Sequence, residues 1–375
     1  MSIYMDNAAT TPLMRQAAQA MKQYYESDFF NPAAGYSQSK AVREKVEEAR
    51  VGIAELIGAA PEEIYFTSGG TESDNWAVSE AVRRRGHIIT SAIEHKAVLV
   101  PVQNYMNNGG RADIIPVTQE GIVRMDVLRR KIRQNTVLIS VMMANNEIGT
   151  IEPIQQIGNI AREYDVIFHT DAVQAMGHIP VNVKYMGVDM LSASSHKFNG
   201  PKGVGFLYIR KGTGIEPFIR GGGQERGMRS GTENVPGIIG MAAAAKASCE
   251  KMEYSSEKCR YICKYMTERI IREIPDCRIN GPADRNMRLP GNMSFSFKNV
   301  DAQSLIVLLD MQGITASAGS ACNTGSPSHV IKAIGADRDY AMGTLRFSID
   351  SSVTIQQADY VVMMLKRAVF RLRGV

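Results

Sequence analysis

No apolar run in this sequence is long enough to cross a bilayer as a helix, although 44% of its 375 residues are hydrophobic. The first residues, MSIYMDNAATTP, also lack the basic and apolar regions of a signal peptide. Internal repeats and low-complexity stretches are missing as well. We therefore expect a cytoplasmic globular protein without a membrane partner.

Cysteine is scarce: the chain has five, with no Cys-x-x-Cys pair, which argues against a disulfide framework. Cys259 and Cys263 lie four residues apart in a helical pattern, but two thiols without other ligands make a weak metal site. We expect both to be packing residues, and we expect no bound metal. The net charge of +5 is mild and only Arg83 to Arg85 cluster, so nucleic acid is not an expected partner.

Short apolar runs alternate with helical patterns between about residues 60 and 210. The runs are EIYFTS, HIITSAI, TVLISVMMA, DVIFHTDA, VDMLSAS and GVGFLYIR. Their Ile, Val and Phe content is typical of buried strands. This alternation predicts an α/β fold with a mostly parallel sheet, in which ligands bind beyond the carboxyl ends of the strands.

The pattern changes after about residue 235. One long helical stretch, from Gly237 to Ile274, leads into three further strand candidates and a closing helix. The strand candidates are NMSFSFKNV, GITASAG and TLRFSID. We expect a large domain over residues 15–255 and a smaller α+β domain formed by residues 1–14 and 256–375.

Two glycines and a threonine follow the first strand candidate. Gly69, Gly70 and Thr71 stand immediately before a helical pattern. Glycines let the backbone approach an anion, and a helix N-terminus offers free N–H groups, so this turn suits a phosphate. No Gly-Lys-Ser/Thr follows, so it is not a Walker motif. A tight strand–helix turn without a ligand is the alternative.

The ends of four other strand candidates also carry polar residues. They are His95, Asn146 in an asparagine pair, Asp171 with Gln174, and Lys197 after Ser194 and His196. Singly, each has a structural explanation, such as a satisfied core histidine or a loop cap. An aspartate leaving an apolar strand needs a cationic partner, and a lysine between a buried strand and a glycine-bearing loop is placed to have a lowered pKa.

Together these residues form the set that pyridoxal 5′-phosphate requires. Lysine attaches the cofactor through its aldehyde, and aspartate keeps the pyridine nitrogen protonated. His95 is the candidate to stack on the ring.

Several motifs of the sequence resemble those of a known family. SSHKFNGPKG, FTSGGTESDN, HTDAVQAMG, ANNEIGT, RGGGQERGMRSGT and YMDNAATTP resemble the class V branch of fold-type I pyridoxal-phosphate enzymes, most closely the cysteine desulfurases of the NifS/IscS group. The resemblance runs from Met5 to about Arg373. It implies a seven-stranded type of sheet, a smaller α+β domain, a homodimer, and a reaction that converts L-cysteine to L-alanine.

The resemblance also implies roles for individual residues. Lys197 would hold the cofactor, Asp171 would pair with the ring nitrogen, and Gln174 would touch the ring hydroxyl. His95 would stack on the ring and move protons, and Asn146 would contact cofactor and substrate. The phosphate would be bound by Gly70, Thr71, Ser194, His196 and Thr232, the last from the partner subunit.

One cysteine stands among small polar residues in SAGSACNTGSPSHV, where a thiol would be reachable. In the family a cysteine on such a loop attacks the substrate sulfur and keeps it as a persulfide, which implies that role for Cys322. Arg346 in TLRFSID matches the clamp for the substrate carboxylate. The alternation of Leu345, Phe347 and Ile349 independently places Arg346 on the opposite strand face.

Several alternatives remain open. A class V aminotransferase would not need Cys322, a selenocysteine lyase would need it less, and a non-catalytic interaction protein would need none of the chemistry. The sulfur acceptor could be an iron–sulfur scaffold or a thiolation partner. Only five positions separate Cys322 from Pro327, and the chain stops soon after its last helix. From these two features we expect a dedicated acceptor for thiolation or cofactor maturation.

Overall fold

The computed structural model describes residues 2–318 and 326–374. Its strands in chain order are β1 Ile3–Tyr4, β2 Ile64–Thr67, β3 His87–Ser91, β4 Ala112–Ile115, β5 Thr136–Ser140, β6 Ile167–Asp171, β7 Met190–Ser194, β8 Gly205–Ile209, β9 Cys277–Ile279, β10 Asn292–Phe297, β11 Ile314–Thr315 and β12 Thr344–Ser348. Its α-helices are α1 Arg15–Glu26, α2 Ser37–Ile57, α3 Gly70–Arg83, α4 Lys96–Asn107, α5 Met125–Lys131, α6 Ile154–Glu163, α7 Val183–Met186, α8 Val235–Glu250, α9 Met252–Glu273, α10 Ala302–Asp310, α11 His329–Ala333, α12 Arg338–Ala341 and α13 Ile355–Arg373.

The central sheet has seven strands in the spatial order β2-β8-β7-β6-β5-β3-β4. All pairs from β7 to β4 are parallel, whereas β8 runs antiparallel to both of its neighbours. The α/β class and the mostly parallel seven-stranded sheet predicted from the sequence are therefore confirmed. All six apolar runs form strands of this sheet, and the sequence patterns missed only β4, in which Ile115 alone is buried.

A smaller sheet, β12-β10-β9, is antiparallel and packs with α9, α10 and α13. The long helical stretch predicted from Gly237 onwards is two helices, because the backbone at Lys251 leaves helical geometry between α8 and α9. Cys259 and Cys263 lie buried on α9, as expected of packing residues.

Two large groups of buried apolar side chains lie in different parts of the chain. The first uses residues between Ala17 and Ala245, together with Leu289. The second uses Ile3 and Met5 with residues between Cys259 and Val369. We propose that these are the cores of the two predicted domains.

The N-terminal segment joins the two units. β1 pairs with β11 in the second unit, and Thr11 donates from its amide and its hydroxyl to the His196 carbonyl in the first, both at 2.9 Å. Within the described ranges, no helix has the length and apolar character to cross a membrane.

Candidate active site

A cavity of about 270 Å³ lies where the carboxyl ends of β3, β5, β6 and β7 meet. Its walls are formed by Gly70, Thr71, Asp74, His95, Met142, Asn146, Asp171, Val173, Gln174, Ser194, His196 and Lys197. Nine of the ten residues predicted to bind a cofactor are in this set. The tenth, Thr232, is exposed and does not line the cavity of its own chain.

The N-terminus of α3 forms one end of the cavity. A Cβ on Gly70 would lie 2.6 Å from Val173 Cγ2, so glycine is required by close packing. Glu72 in the first turn is bound by Arg229, with Nε to Oε1 at 2.8 Å, so its charge does not repel an anion there. The helix end therefore offers a phosphate free N–H groups and a favourable dipole.

A buried carboxyl group also lines the cavity. Asp171 ends β6, is buried, and accepts from the Val173 amide at 2.8 Å. Burial raises its pKa, against the opposing effects of His95 and Lys197. This carboxyl group is placed to accept a bond from a cationic ring nitrogen, which would restore its charged form.

Asp74 is a site residue that the sequence patterns did not reveal. It lies on α3, is almost fully buried, and its Oδ1 is 3.6 Å from His169 Nε2. Burial and the neighbouring Asp171 raise the pKa of Asp74 well above its usual value. Helical position 74 carries no local signal of this role, because the contact with Asp171 depends on how α3 packs over the sheet.

Lys197 lies in the cavity with its amine held by two backbone oxygens. Nζ donates to the carbonyls of Ala8 and Ala9 at 2.7 and 2.8 Å. Burial, helped by Arg346, lowers the pKa of Lys197 to about 8, as its position in the sequence had predicted. An amine with this pKa is neutral in a substantial fraction of molecules near pH 8, and only the neutral amine is a nucleophile.

The carbonyls that hold Lys197 belong to the N-terminal segment. The Gln174 side chain donates to the Ala8 carbonyl at 2.9 Å, and the Thr10 hydroxyl lies 3.1 Å from His196 Nδ1. The segment therefore contacts three residues that line the cavity, Gln174, His196 and Lys197. Backbone oxygens have no side-chain signature, so sequence analysis missed this contribution.

His95 caps the N-terminus of α4 and lines the cavity. Its Nδ1 accepts from the Ala97 amide at 3.1 Å, which leaves the proton of the neutral ring on Nε2. Burial lowers the pKa of His95, Asp171 opposes this shift, and Lys197 adds to it. The ring is therefore neutral at pH 7 and presents an N–H donor at Nε2.

Arg346 lies behind the cavity wall on β12, with only 4% of the residue exposed. Its Nη1 donates to the Asn146 carbonyl at 3.1 Å, and Nη2 donates to Asp6 Oδ1 at 2.5 Å. Leu345 and Phe347 point into the second core, as predicted, but the face that carries Arg346 is buried too.

Cys322 falls outside the described residues, and only the two flanks of its segment are observed. On one flank, Ser317 exchanges backbone hydrogen bonds with Arg346 at 3.1 and 2.6 Å. On the other flank, His329 Nε2 bonds the Glu94 carbonyl at 2.9 Å, next to His95. The segment therefore leaves and rejoins the described structure beside two candidate site residues.

The cavity fits an aromatic aldehyde phosphate better than it fits a metal. It combines an anion-binding helix end, a lysine of lowered pKa and a buried carboxyl group that accepts a hydrogen bond from the Val173 amide. Among residues 2–318 and 326–374, no group of three or more His, Cys, Asp or Glu side chains could hold a metal ion.

Comparisons with known proteins agree with this geometry. The aminotransferase class-V family matches residues 3–361. The cysteine desulfurase IscS of Dictyoglomus turgidum is 47% identical, with 100% of this chain and 96% of the relative covered, and that of Methanosarcina thermophila is 45% identical, with 100% and 93% covered.

Solved structures extend the likeness to the fold. A NifS-like protein superposes with a TM-score of 0.91 at 36% identity over 100% of both chains. A structure described as SspA in complex with cysteine has a TM-score of 0.82 at 35% identity, covering 93% of this chain and 99% of that one. These likenesses confirm the resemblance seen in the motifs: the chain belongs to the aminotransferase class-V family, within its cysteine desulfurase group.

Proposed function

We propose that this protein is a pyridoxal-phosphate-dependent cysteine desulfurase, which converts L-cysteine to L-alanine and stores the sulfur as a persulfide on Cys322. The observation that carries the proposal is the cavity itself. It joins a phosphate-binding helix end, a buried carboxyl group and a lysine of lowered pKa, and both flanks of the Cys322 segment are tied beside it. The names of the relatives support the same activity.

The cofactor site divides into three parts. Gly70, Thr71, Ser194 and His196 bind the phosphate, joined by Thr232 of the partner subunit in a homodimer. Asp171 bonds the ring nitrogen, Gln174 the ring hydroxyl, and His95 stacks on the ring. When bound, pyridoxal phosphate supplies an aldehyde that links to an amine and a ring that accepts electrons released at the substrate α-carbon.

Lys197 and His95 handle protons in this proposal. With its amine free, Lys197 would be a base of pKa about 8 in the wall of the cavity. His95 carries a proton on Nε2 and accepts its bond from Ala97 at Nδ1, so its ring orientation is fixed before substrate arrives. Nε2 can receive the thiol proton of a substrate or of Cys322 in the other neutral tautomer, in which the ring proton is on Nδ1 and the bond from the Ala97 amide is lost.

Arg346 and Asn146 bind and orient the substrate. The guanidinium pairs with the α-carboxylate, and the Asn146 side chain, which faces the cavity, contacts the same group. The hydrogen bond from Arg346 Nη1 to the Asn146 carbonyl holds the two residues next to each other.

Cys322 carries out the sulfur transfer. Its thiolate attacks the substrate sulfur, an S–S bond forms and the C–S bond breaks. The electron pair of the broken bond goes to carbon, which takes up a proton and becomes the methyl group of alanine. The persulfide then passes to an acceptor protein, either an iron–sulfur scaffold or a thiolation partner.

The test is incubation of the purified holoenzyme with L-cysteine, followed by an alanine assay and intact-mass measurement. We expect alanine together with a mass increase of sulfur on peptides that contain Cys322. Both should disappear in Cys322→Ala and persist in Cys249→Ala, which removes a partly buried cysteine of α8.

Other outcomes would identify the alternatives. Full turnover in Cys322→Ala with a keto-acid acceptor would indicate an aminotransferase. Turnover of selenocysteine but not of cysteine would indicate a lyase. A yellow protein without any product would indicate a non-catalytic role.

A further inference from the structure

The carboxylate of Asp6 is bound to the arginine that we assign to the substrate carboxylate. Arg346 Nη2 donates to Asp6 Oδ1 at 2.5 Å, although the two residues are 340 positions apart. The side chains are 5% and 16% exposed, so water screens this pair little. Neither residue's neighbours in the sequence reveal the contact.

The other partners of Arg346 are few. Nη1 donates to the Asn146 carbonyl at 3.1 Å, and buried Nε has no partner among the described residues. Asp6 is therefore the only carboxylate bonded to this buried guanidinium in the described part of the chain. A buried guanidinium without such a partner would be poorly held and costly.

Asp6 itself is held firmly. Its neighbours exchange backbone bonds with Ser348 on β12, the Asn7 amide donating at 3.0 Å and the Ser348 amide donating to the Met5 carbonyl at 2.8 Å. The Tyr4 hydroxyl donates to the Asp6 carbonyl at 2.9 Å. The carboxylate thus sits on a segment fixed to the strand that carries Arg346.

We propose that Asp6 is a positioning residue that fixes and charge-balances the Arg346 guanidinium so that it can bind the substrate α-carboxylate. This inference rests on the proposed role of Arg346. Asp6 does not contact the reacting atoms. It acts by restricting the guanidinium to one orientation before the substrate arrives, which lowers the entropy lost on binding.

The same carboxylate balances charge near Lys197. Arg346 acts to lower the pKa of Lys197, and Asp6 acts to raise it. Removal of the Asp6 charge therefore leaves the positive charge of Arg346 less compensated. The Lys197 pKa should then fall further, which a purely structural role for Asp6 would not produce.

The test compares Asp6→Asn with wild type in two measurements. The first is steady-state kinetics with L-cysteine, where we expect KM to rise about tenfold and kcat to change by less than about threefold, because substrate binding is weakened more than chemistry. The second is the rate at which the apoprotein takes up pyridoxal phosphate as a function of pH. Its midpoint reports the neutral form of Lys197 and should move to lower pH in Asp6→Asn.

Three further variants separate the possible outcomes. Asp6→Glu keeps the charge but displaces the carboxylate, so it should restore the pH midpoint and leave KM raised. Asp310→Asn removes an exposed charge at the end of α10 and should change neither quantity. Arg346→Ala should raise KM more than Asp6→Asn does.

Specific results would overturn the inference. An unchanged KM in Asp6→Asn would make Asp6 a bystander, and a lower KM would make it a competitor of the substrate. A KM insensitive to Arg346→Ala would refute the clamp assignment and the Asp6 inference with it, while the desulfurase proposal would still be decided by Cys322→Ala.

Discussion

Burial sets the protonation of several single residues around the cavity. It lowers the pKa of His196 to about 4, with help from Lys197, and lowers that of His169 to about 3. It raises the pKa of Glu152 to about 8 against a bond from the Val123 amide. These groups therefore make the stability of the fold depend on pH, with signs that differ from residue to residue.

His169 gives the clearest case at the residue scale. Its nitrogens bond the Ser140 and Ser192 hydroxyls, each at 2.9 Å, and the folded pKa of about 3 lies below the ordinary 6.5. As pH falls below 6.5, His169 becomes protonated in the unfolded chain but stays neutral in the folded chain. Stability is therefore lost between pH 6.5 and 3 at about 1.4 kcal/mol per pH unit.

We expect His169→Asn to remove this contribution, although it will also lower stability at every pH. Between pH 5.5 and pH 4.5 the free energy of unfolding falls in both proteins. We expect this fall to be about 1.4 kcal/mol smaller in the variant than in wild type. Between pH 7.5 and 8.5 the two proteins should have equal slopes. Equal slopes in the acidic range would contradict a neutral, buried His169.

At the scale of elements, one connection lines the cavity and another is held by a buried ion pair. The first is the junction of β2 with α3, where Gly70 packs on Val173. The second is the loop between β8 and α8, which is held to α2 by a buried ion pair. Arg50 donates through Nη1 and Nη2 to Glu225, each at 2.8 Å, and Glu225 also accepts from the Phe66 amide.

The Gly70 contact predicts a loss of cofactor affinity in Gly70→Ala. The new methyl group would lie 2.6 Å from Val173 Cγ2, and Val173 lines the cavity. We expect the dissociation constant for pyridoxal phosphate to rise about tenfold in absorbance titrations of the apoprotein, since Val173 must move. Gly52→Ala in α2, where no atom lies within 4 Å, is the matched control and should leave the affinity unchanged.

The Arg50–Glu225 pair predicts a large effect on stability. Glu225→Gln leaves a buried guanidinium without its main charge partner, so the free energy of unfolding should fall by about 3 kcal/mol. Glu47→Gln is the control because Glu47 bonds the same arginine with its side chain 53% exposed, and it should cost less than about 1 kcal/mol. If urea unfolding shows that both variants lose the same free energy of unfolding, the buried pair is not stronger than the exposed one.

At the scale of the whole molecule, the active site depends on parts of the chain that are distant in sequence. The N-terminal segment supplies the oxygens that hold Lys197, and the second unit supplies Arg346. Thr232 is exposed and does not line the cavity of its own chain. This arrangement agrees with the proposal that a second copy completes the phosphate site.

Subunit mixing tests that proposal. Lys197→Ala and Thr232→Val should each be weakly active or inactive alone. If Thr232 acts across the interface, a heterodimer of the two contains one site with both native residues, and mixing should restore activity. If Thr232 acts within its own chain, every site in the heterodimer lacks one of the two residues. The activity of the mixture should then be no higher than that of the two variants alone. Size-exclusion chromatography with light scattering provides the check that dimers form.

Much of this molecule could be predicted from local patterns. The period of apolar residues identified six strands of the central sheet, because burial on both faces demands continuous apolar runs. The strand ends then pointed to Gly70, His95, Asn146, Asp171 and Lys197, because the carboxyl ends of parallel strands meet at one edge. The direction of β8 and the break at Lys251 carried no comparable signal, since both depend on long-range packing.

The sequence by itself determined the fold class and the cofactor chemistry, and it predicted a set of reactive side chains, since each of these depends on residue type and local order. Only the tertiary structure decided which groups control them. The carbonyls of Ala8 and Ala9 at Lys197, Asp74 beside Asp171, and Asp6 on Arg346 are contacts between residues far apart in the chain. Their strength comes from burial and distance, two quantities that exist only once the chain has folded.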